Sequence, residues 1–201
     1  FDPDTPLEET IGALDTAVRQ GKALYAGISS YSAERTLQAI GIANELGTPI
    51  VIHQPSYSLL NRWVEQGLLS VLADNGVGSI AFTVLAQGLL SDRYVESADP
   101  ERSQDRGSFD ASMASEENRE RLRGLAGIAK ERGQSLAQMA LSWVLRRGGV
   151  TSALIGVSSV KQLDENLAAA NSTDFTDDEL GRIDTLAGEA GVNLWAASSD
   201  L

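Results

Sequence analysis

Cysteine is absent from this chain of 201 residues, and histidine occurs only once. The lack of cysteine excludes disulfides and thiolate chemistry, and it is typical of a protein that works in a reducing cytoplasm. The sequence also has no apolar run long enough for a transmembrane helix and no charged-then-apolar leader. We therefore expect a cytoplasmic protein.

Positive charge is scarce as well. Lysine and arginine together number 16 against 28 aspartates and glutamates, which gives a formal net charge of −12. Nucleic acid or an anionic membrane would require a cluster of cations, so we expect neither as a partner. A small phosphorylated ligand is compatible with this balance, because helix N-termini, backbone amides and a few placed cations can bind it locally.

What the sequence does contain is an alternation of helical and strand periodicity. Hydrophobic residues make up 42% of the chain, and its length favours a single domain over residues 1–201. Residues 86–116 are polar and without period, which predicts a long loop. The apolar spacing predicts helices over 5–20, 32–47, 61–76, 116–132 and 135–145, one from Ser159 and one from Thr176, and strands over 23–29, 49–54, 78–85 and 151–156.

Strands separated by helices predict parallel βαβ units and an α/β fold. No predicted strand is followed by the G-x-G-x-x-G turn of a doubly wound nucleotide-binding sheet, which favours a barrel arrangement. A closed (β/α)₈ barrel needs eight strand–helix units. The pattern accounts for four of them.

In parallel α/β folds the functional site lies at the carboxyl ends of the strands. Here no pair of carboxylates and no set of metal ligands gathers at those ends, so they predict a binding site without a metal. Structural alternatives stay open: Ser29 and Ser30 can simply end a strand, Gln54 can pair within the protein, and Phe82 can belong to the core. The polar, aromatic and glycine residues at the strand ends are Ser29, Ser30, Gln54, Phe82, Thr83, Gly156 and Ser158.

Two further residues have both a structural and a functional interpretation. Gln162 follows Ser159 at the spacing of a capping box, so its amide can close a helix start, and the same helix start is an anion site by its geometry. His53 precedes Gln54 in a strand and therefore points to the opposite face. No carboxylate lies near His53 in sequence, and we interpret it as structural.

Four segments, in their order and spacing, resemble the aldo-keto reductases. They are GKALYAGISSYS, HQPSYSLLNRW, AFTVLAQGLLSDRY and LIGVSSVKQLDEN, and the resemblance runs from Phe1 to the NLWAASSD tail. Within that family the sequence is similar to a bacterial group that reduces L-glyceraldehyde 3-phosphate and is related to potassium-channel β subunits. The resemblance implies that the chain is the C-terminal half, strands 5–8 with their helices, of a (β/α)₈ TIM barrel.

The resemblance also implies a cofactor, NADPH/NADP, and a reaction, reduction of small aldehydes or ketones by hydride transfer. It assigns Ser29, Ser30 and Gln54 to the nicotinamide carboxamide and Phe82 to the nicotinamide ring. The loop over 86–116 is expected to cover the cofactor. The other implied cofactor contacts are Thr83, Leu85, Gln87, Gly88 and Arg93 along the pyrophosphate, and Gly156, Ser158, Gln162, Glu165 and Asn166 around the adenosine 2′-phosphate and adenine.

The catalytic residues of that family are expected outside this chain. The resemblance places an Asp, a Tyr and a Lys on earlier strands and a His just before a stretch like FDPDTPLEET, so we expect no catalytic residue in 1–201 and no activity of the isolated chain. Two alternatives stay open. One is a regulatory NADP-binding subunit like the channel β subunits, and the other is a homo-oligomer in which two half-barrels complete eight strands.

Overall fold

The computed structural model describes residues 1–91 and 115–188. Its strands are β1 (Ala26–Ser29), β2 (Ile50–Gln54), β3 (Gly78–Ala81) and β4 (Ser152–Ala153). Short 3₁₀ turns occupy Trp63–Glu65, Ala86–Gly88 and Ala169–Asn171. Most of the predicted loop over 86–116 and the NLWAASSD tail lie outside the described residues. The helices are α1 (Leu7–Arg19), α2 (Ala33–Leu46), α3 (Leu68–Asp74), α4 (Glu116–Glu131), α5 (Leu136–Val144), α6 (Val160–Ala168) and α7 (Asp177–Leu186).

The strands form one parallel sheet in the order β1-β2-β3-β4. This order confirms the predicted α/β fold with a parallel sheet, in which helical crossovers return the chain to the same edge. The register pairs Ser29 at the end of β1 with Gln54 at the end of β2. The carboxyl ends of these two strands are therefore level with each other.

Several predicted elements have different bounds in the structure. The helix predicted over 61–76 is divided at Gly67, whose φ of 115° no continuous helix accommodates, into a 3₁₀ turn and α3. The strand predicted over 78–85 ends at Ala81 because Thr83 turns the chain with a φ of 53°. The strand predicted over 151–156 is only two residues long.

The two faces of the sheet have different environments. Along β1, Ala26 and Ile28 are buried on the face that packs against the helices, whereas Gly27 and Ser29 are exposed on the other face. Because side chains alternate along a strand, this pattern separates a helix-covered face from an uncovered one. The described residues bury only the first.

The uncovered face is nonetheless shaped by close packing. Ile52 on β2 lies between two glycines of the neighbouring strands: a Cβ built on Gly27 would lie 2.5 Å from Ile52 Cγ2, and one on Gly78 would lie 2.9 Å from Ile52 Cδ1. Beyond the end of β4, Leu154 is 54% exposed. An apolar, interdigitated and exposed sheet face is the kind of surface that other structure normally covers.

No helix in residues 1–91 and 115–188 has the length and apolar character that a membrane crossing requires.

His53 lies on the buried face of β2 and is fully buried. Its Nε2 lies 3.2 Å from the Tyr31 carbonyl oxygen. Because a carbonyl oxygen only accepts, Nε2 donates this bond and carries the ring proton. Burial lowers the pKa of His53 to about 4, and the hydrogen bond to Tyr31 offsets this shift only in part. The ring is therefore neutral at physiological pH, as a structural role requires.

The depressed pKa of His53 predicts an acid-sensitive fold. The unfolded chain binds a proton at this histidine near its ordinary pKa of about 6.5, whereas the folded chain does so only near about 4. Stability is thus lost as pH falls between these values, by about 2 kcal/mol between about pH 8 and about pH 5. Urea unfolding of the wild type and of His53→Gln at both pH values measures this contribution as the difference between the two proteins. An equal pH dependence in both would show that His53 does not cause it.

Candidate functional site

The ends of β1 and β2 are joined by hydrogen bonds. Ser29 Oγ donates to the Gln54 carbonyl oxygen at 2.8 Å, and the Ser30 N–H donates to the same oxygen at 3.2 Å. Ser30 has a φ of 56°, in the left-handed region, and its buried Oγ has no partner among the described residues. The side-chain amide of Gln54 is half-buried and makes no hydrogen bond within the described residues. The strand ends thus present a hydroxyl and an amide at one place.

Phe82 lies beside them, just after β3. Its N–H donates to the Pro55 carbonyl oxygen at 3.0 Å, and its own carbonyl oxygen accepts from the Tyr57 N–H at 3.2 Å. A parallel bridge between Ser56 and Phe82 continues the β2–β3 pairing beyond the strands. The aromatic ring is half-buried. Phe82 is thereby held on the same edge of the sheet as Gln54.

The segment after Phe82 is a tight turn with unusual backbone angles. Thr83, Ala86 and Gln87 have φ values of 53°, 47° and 59°, and Gly88 has a φ of 96°. The turn is closed by hydrogen bonds from the Ala86 N–H to the Thr83 carbonyl oxygen at 2.7 Å and from the Gly88 N–H to the Leu85 carbonyl oxygen at 2.8 Å. Such a run of left-handed residues costs free energy, and it is typical of loops that bind a ligand through their backbone.

The segment after β4 begins α6. Gly156 and Ser158 are exposed, and the Ser159 side chain caps the helix by accepting from the Gln162 N–H at 3.2 Å. The predicted capping box is wrong in its second half. The Gln162 Oε1 does not reach the Ser159 N–H but accepts from Ser158, from N–H at 2.8 Å and from Oγ at 3.1 Å. Gln162 therefore fixes the turn before the helix, and its amide NH₂ makes no hydrogen bond within the described residues.

Further along α6, Glu165 and Asn166 have different environments. Glu165 is exposed, pairs with Lys161 at 3.7 Å and accepts through its backbone oxygen from Gln138 Nε2 at 2.8 Å. Asn166 is buried, and its Nδ2 has no partner among the described residues. Of these two, Asn166 presents the unsatisfied donor.

The structure thus brings most of the predicted site residues to one edge of the sheet. Those that follow β1 bond to the end of β2, the segment that follows β3 bonds to the loop after β2, and those on α6 follow the adjacent strand β4. Arg93 lies outside the described residues. No cluster of three metal-ligating side chains occurs in residues 1–91 and 115–188. Sequence reasoning gave no role to Ser56 and Asn61, which contact this edge from the loop after β2, because only the register shows that contact.

Comparison with known proteins agrees with this geometry. The sequence model of the Aldo/keto reductase family matches residues 1–187. The chain is 50% identical over 205 residues to L-glyceraldehyde 3-phosphate reductase from Escherichia coli strain K12, and 49% identical over 205 residues to the protein of that name from Escherichia coli O157:H7. Each alignment covers 99% of this chain but only 59% of the relative's length. On these findings the chain belongs to the aldo/keto reductase family.

Proposed function

We propose that the protein containing this chain reduces small aldehydes or ketones with NADPH, and that this chain carries the cofactor-binding part of its site. A short carbonyl such as L-glyceraldehyde 3-phosphate is the proposed substrate class, because the two relatives above are named as reductases of that compound. Family membership supports the reaction type.

The observation that carries this proposal is where the backbone strain lies. The non-glycine residues with positive φ in the described part of the chain are Ser30, Thr83, Ala86 and Gln87. All of them lie just beyond the carboxyl ends of β1 and β3, where a ligand binds in parallel α/β folds. Strain of this kind persists when the surrounding structure enforces it, and it clusters at binding sites.

The polar groups at this edge fit the cofactor. Ser30 Oγ and Asn166 Nδ2 are buried polar atoms without a partner among the described residues, and such atoms are usually satisfied by a ligand or by water. We propose that Ser29, Ser30 and Gln54 orient the nicotinamide carboxamide and that Phe82 covers one face of the ring. Ser158 and the Gln162 NH₂ would hold the 2′-phosphate at the start of α6, where the helix dipole favours negative charge.

When bound, NADPH supplies the hydride that adds to the carbonyl carbon. The described residues contribute binding and orientation, and Phe82 excludes water from the covered face of the ring. The group that gives a proton to the carbonyl oxygen is proposed to lie in sequence before Phe1, together with the other residues of the family's Asp, Tyr, Lys and His set. Such a division is the one expected if the chain is the C-terminal half of a barrel, as we also propose.

The uncovered sheet face supports the same proposal. Four parallel strands in sequential order are half of the eight that close a barrel, and their exposed apolar face corresponds to a barrel interior. The curated relatives are longer than this chain by enough to supply further strands. Residues that complete the barrel would cover Ile52 and Leu154.

Phe82→Ala tests the proposed cofactor site. In the protein expressed from its complete reading frame, we expect the Kd for NADPH to rise about tenfold, because stacking on an aromatic side chain is worth about 1–3 kcal/mol per heteroaromatic ring. Quenching of the intrinsic tryptophan fluorescence measures the Kd, and NADPH oxidation with L-glyceraldehyde 3-phosphate measures turnover. Leu37→Ala on α2, where Leu37 is 52% exposed, is the matched control and should leave the Kd unchanged.

The outcomes separate the alternatives. An unchanged Kd in Phe82→Ala would contradict the proposed placement of the nicotinamide. Tight NADPH binding by the wild type with no turnover of any small aldehyde would contradict the proposed reductase activity. It would favour the alternative that the protein is a regulatory NADP-binding subunit.

A further inference from the structure

Thr83 adopts a backbone conformation that its side chain disfavours. A φ of 53° is uncommon for any residue except glycine, and for a β-branched residue it is an outlier. Thr83 nevertheless lies directly after Phe82, the residue proposed to cover the nicotinamide ring. Something in the structure must hold Thr83 in place, and the loop after β2 supplies it.

Three side chains and one carbonyl form a continuous chain of hydrogen bonds. Thr83 Oγ1 lies 2.7 Å from the Phe82 carbonyl oxygen, Ser56 Oγ lies 2.9 Å from Thr83 Oγ1, and Asn61 Nδ2 lies 2.8 Å from Ser56 Oγ. We call this chain the Asn61 relay. It crosses from the loop after β2 to the turn after β3.

The Asn61 relay runs in one direction only. A carbonyl oxygen accepts, so Thr83 must donate to Phe82, and its single hydroxyl hydrogen is then used. Thr83 therefore accepts from the Ser56 hydroxyl, whose single hydrogen is used in this bond. Ser56 in turn accepts from the Asn61 NH₂. Bonds aligned in this way polarise and strengthen one another.

The origin of the relay is fixed in the core. Asn61 is 2% exposed and Ser56 is 1% exposed. The backbone of Asn61 is paired with Ser58 in both directions, with N–H to oxygen distances of 3.0 and 3.2 Å. Because both side chains are buried, water cannot replace a lost hydrogen-bond partner. The relay therefore fixes the position of Thr83.

We propose that Asn61 and Ser56 are positioning residues for the cofactor: through Thr83 they set the place of Phe82 and of the turn that follows it. This inference rests on the proposed function, since Phe82 matters only if the nicotinamide binds there. Neither residue is assigned a contact with NADPH. Their effect is on the geometry of the residues that make the contacts.

Asn61→Asp is the sharpest test. The substitution keeps the size of the side chain, but the new carboxylate only accepts. The Ser56 hydrogen must then serve either that carboxylate or Thr83 but not both, and the relay is broken. We expect the Kd for NADPH to rise about fivefold in Asn61→Asp and in Thr83→Val, while Thr83→Ser, which keeps the hydroxyl, stays close to wild type.

A buried hydroxyl elsewhere provides the control. Ser142 is fully buried, accepts from Gln134 Nε2 at 2.9 Å and donates to the Ala169 carbonyl oxygen at 2.8 Å, away from the strand ends. Ser142→Ala should lower the melting temperature without changing the Kd. A loss of stability alone therefore does not reproduce the expected result for the relay.

The measurements use the protein expressed from its complete reading frame, with NADPH titrated against tryptophan fluorescence. Wild-type binding with an unchanged Kd in both Asn61→Asp and Thr83→Val would overturn the positioning role and leave the proposed function intact. If Asn61→Asp does not fold, Ser56→Ala, which removes the middle hydroxyl of the relay and no assigned cofactor contact, decides in the same way. A wild type that does not bind NADPH would overturn the proposed function and the positioning role together.

Discussion

A chain that starts at Phe1 and ends at Leu201 is expected to oxidise no NADPH in the presence of an aldehyde, whereas the protein from the complete reading frame is expected to oxidise it. A positioned proton donor contributes about 10²–10⁴-fold to such a reaction. We have proposed that the family's proton donor and its supporting residues lie outside 1–201. We therefore expect activity of the isolated chain to fall to the background rate.

The buried tyrosines and the histidine of the described residues do not replace the proposed donor. Tyr57 is fully buried, donates to Glu65 Oε1 at 2.6 Å and accepts from Arg146 Nη1 at 3.0 Å. Burial raises its pKa further above the ordinary value for tyrosine. Burial likewise raises the pKa of Tyr31, and the His53 ring is neutral and donates to the Tyr31 backbone. All three side chains are buried within the protein.

The test compares the two lengths of protein in one assay. NADPH oxidation is followed with L-glyceraldehyde 3-phosphate, and size-exclusion chromatography reports the state of the isolated chain. Because its uncovered sheet face is apolar and the outer edges of β1 and β4 are unpaired within 1–91 and 115–188, we expect that chain to aggregate or to form mixed oligomers. Turnover by a purified 1–201 chain would contradict the prediction. A homogeneous dimer with turnover would support two half-barrels completing each other.

Tyr57→Phe in the complete protein is the control for the proton donor. If Tyr57 only anchors the loop after β2, the variant should keep its pH profile of turnover even where its stability is lower. A collapse of turnover in this variant would show that Tyr57 has a chemical role after all.

The parallel fold and the core of the site were predictable because they depend on patterns local to each segment. Ser29, Gln54 and Phe82 each follow an apolar strand, and parallel topology alone brings such strand ends to one edge. The position of His53 on the opposite face from Gln54 likewise follows from strand alternation. These predictions need no knowledge of distant contacts.

The features that escaped prediction depend on distant contacts or on backbone angles. The apolar run over 78–85 predicted a strand through Thr83, where the structure has a left-handed turn. The Asn61 relay joins residues 27 apart in sequence through the β2–β3 register. The Gln162 side-chain oxygen accepts from the Ser158 N–H and not from the Ser159 N–H, a difference of one residue that capping patterns do not resolve.

Arg132→Ala is expected to lower the free energy of unfolding by about 2 kcal/mol, because it removes the partner of a partly buried carboxylate and the donor to two backbone carbonyl oxygens. The Arg132 side chain is 9% exposed, and its Nη1 lies 2.7 Å from Glu179 Oε1 on α7. Its Nη2 donates to the Ser172 and Asp174 carbonyl oxygens at 2.9 and 3.0 Å, and the guanidinium lies 3.8 Å from the centre of the Phe175 ring. One side chain thus ties α4 to the segment that leads into α7.

Glu179 also caps the start of α7. Its Oε2 accepts from the Thr176 N–H at 2.8 Å and completes the capping box that starts α7. Burial acts to raise the pKa of Glu179, but the hydrogen bonds from Thr176 and Arg132 outweigh it and hold the pKa below the ordinary value. The ion pair therefore stabilises the fold above the unfolded-state pKa of a glutamate, and this contribution is lost as pH falls through the lower folded-state pKa.

An exposed ion pair between the same two helices provides a matched control. Arg182 on α7 bonds both carboxylate oxygens of Glu131 on α4, at 2.7 and 2.9 Å, but the two side chains are 43% and 61% exposed. Water and salt screen such a pair, so Arg182→Ala should change urea unfolding little at neutral pH. Arg132→Lys keeps the charge but lacks the planar fork that satisfies Glu179 and both carbonyls at once, and it should be destabilised as well. Equal effects of Arg132→Ala and Arg182→Ala would show that burial of the Arg132–Glu179 pair does not decide the stability of this helix pair.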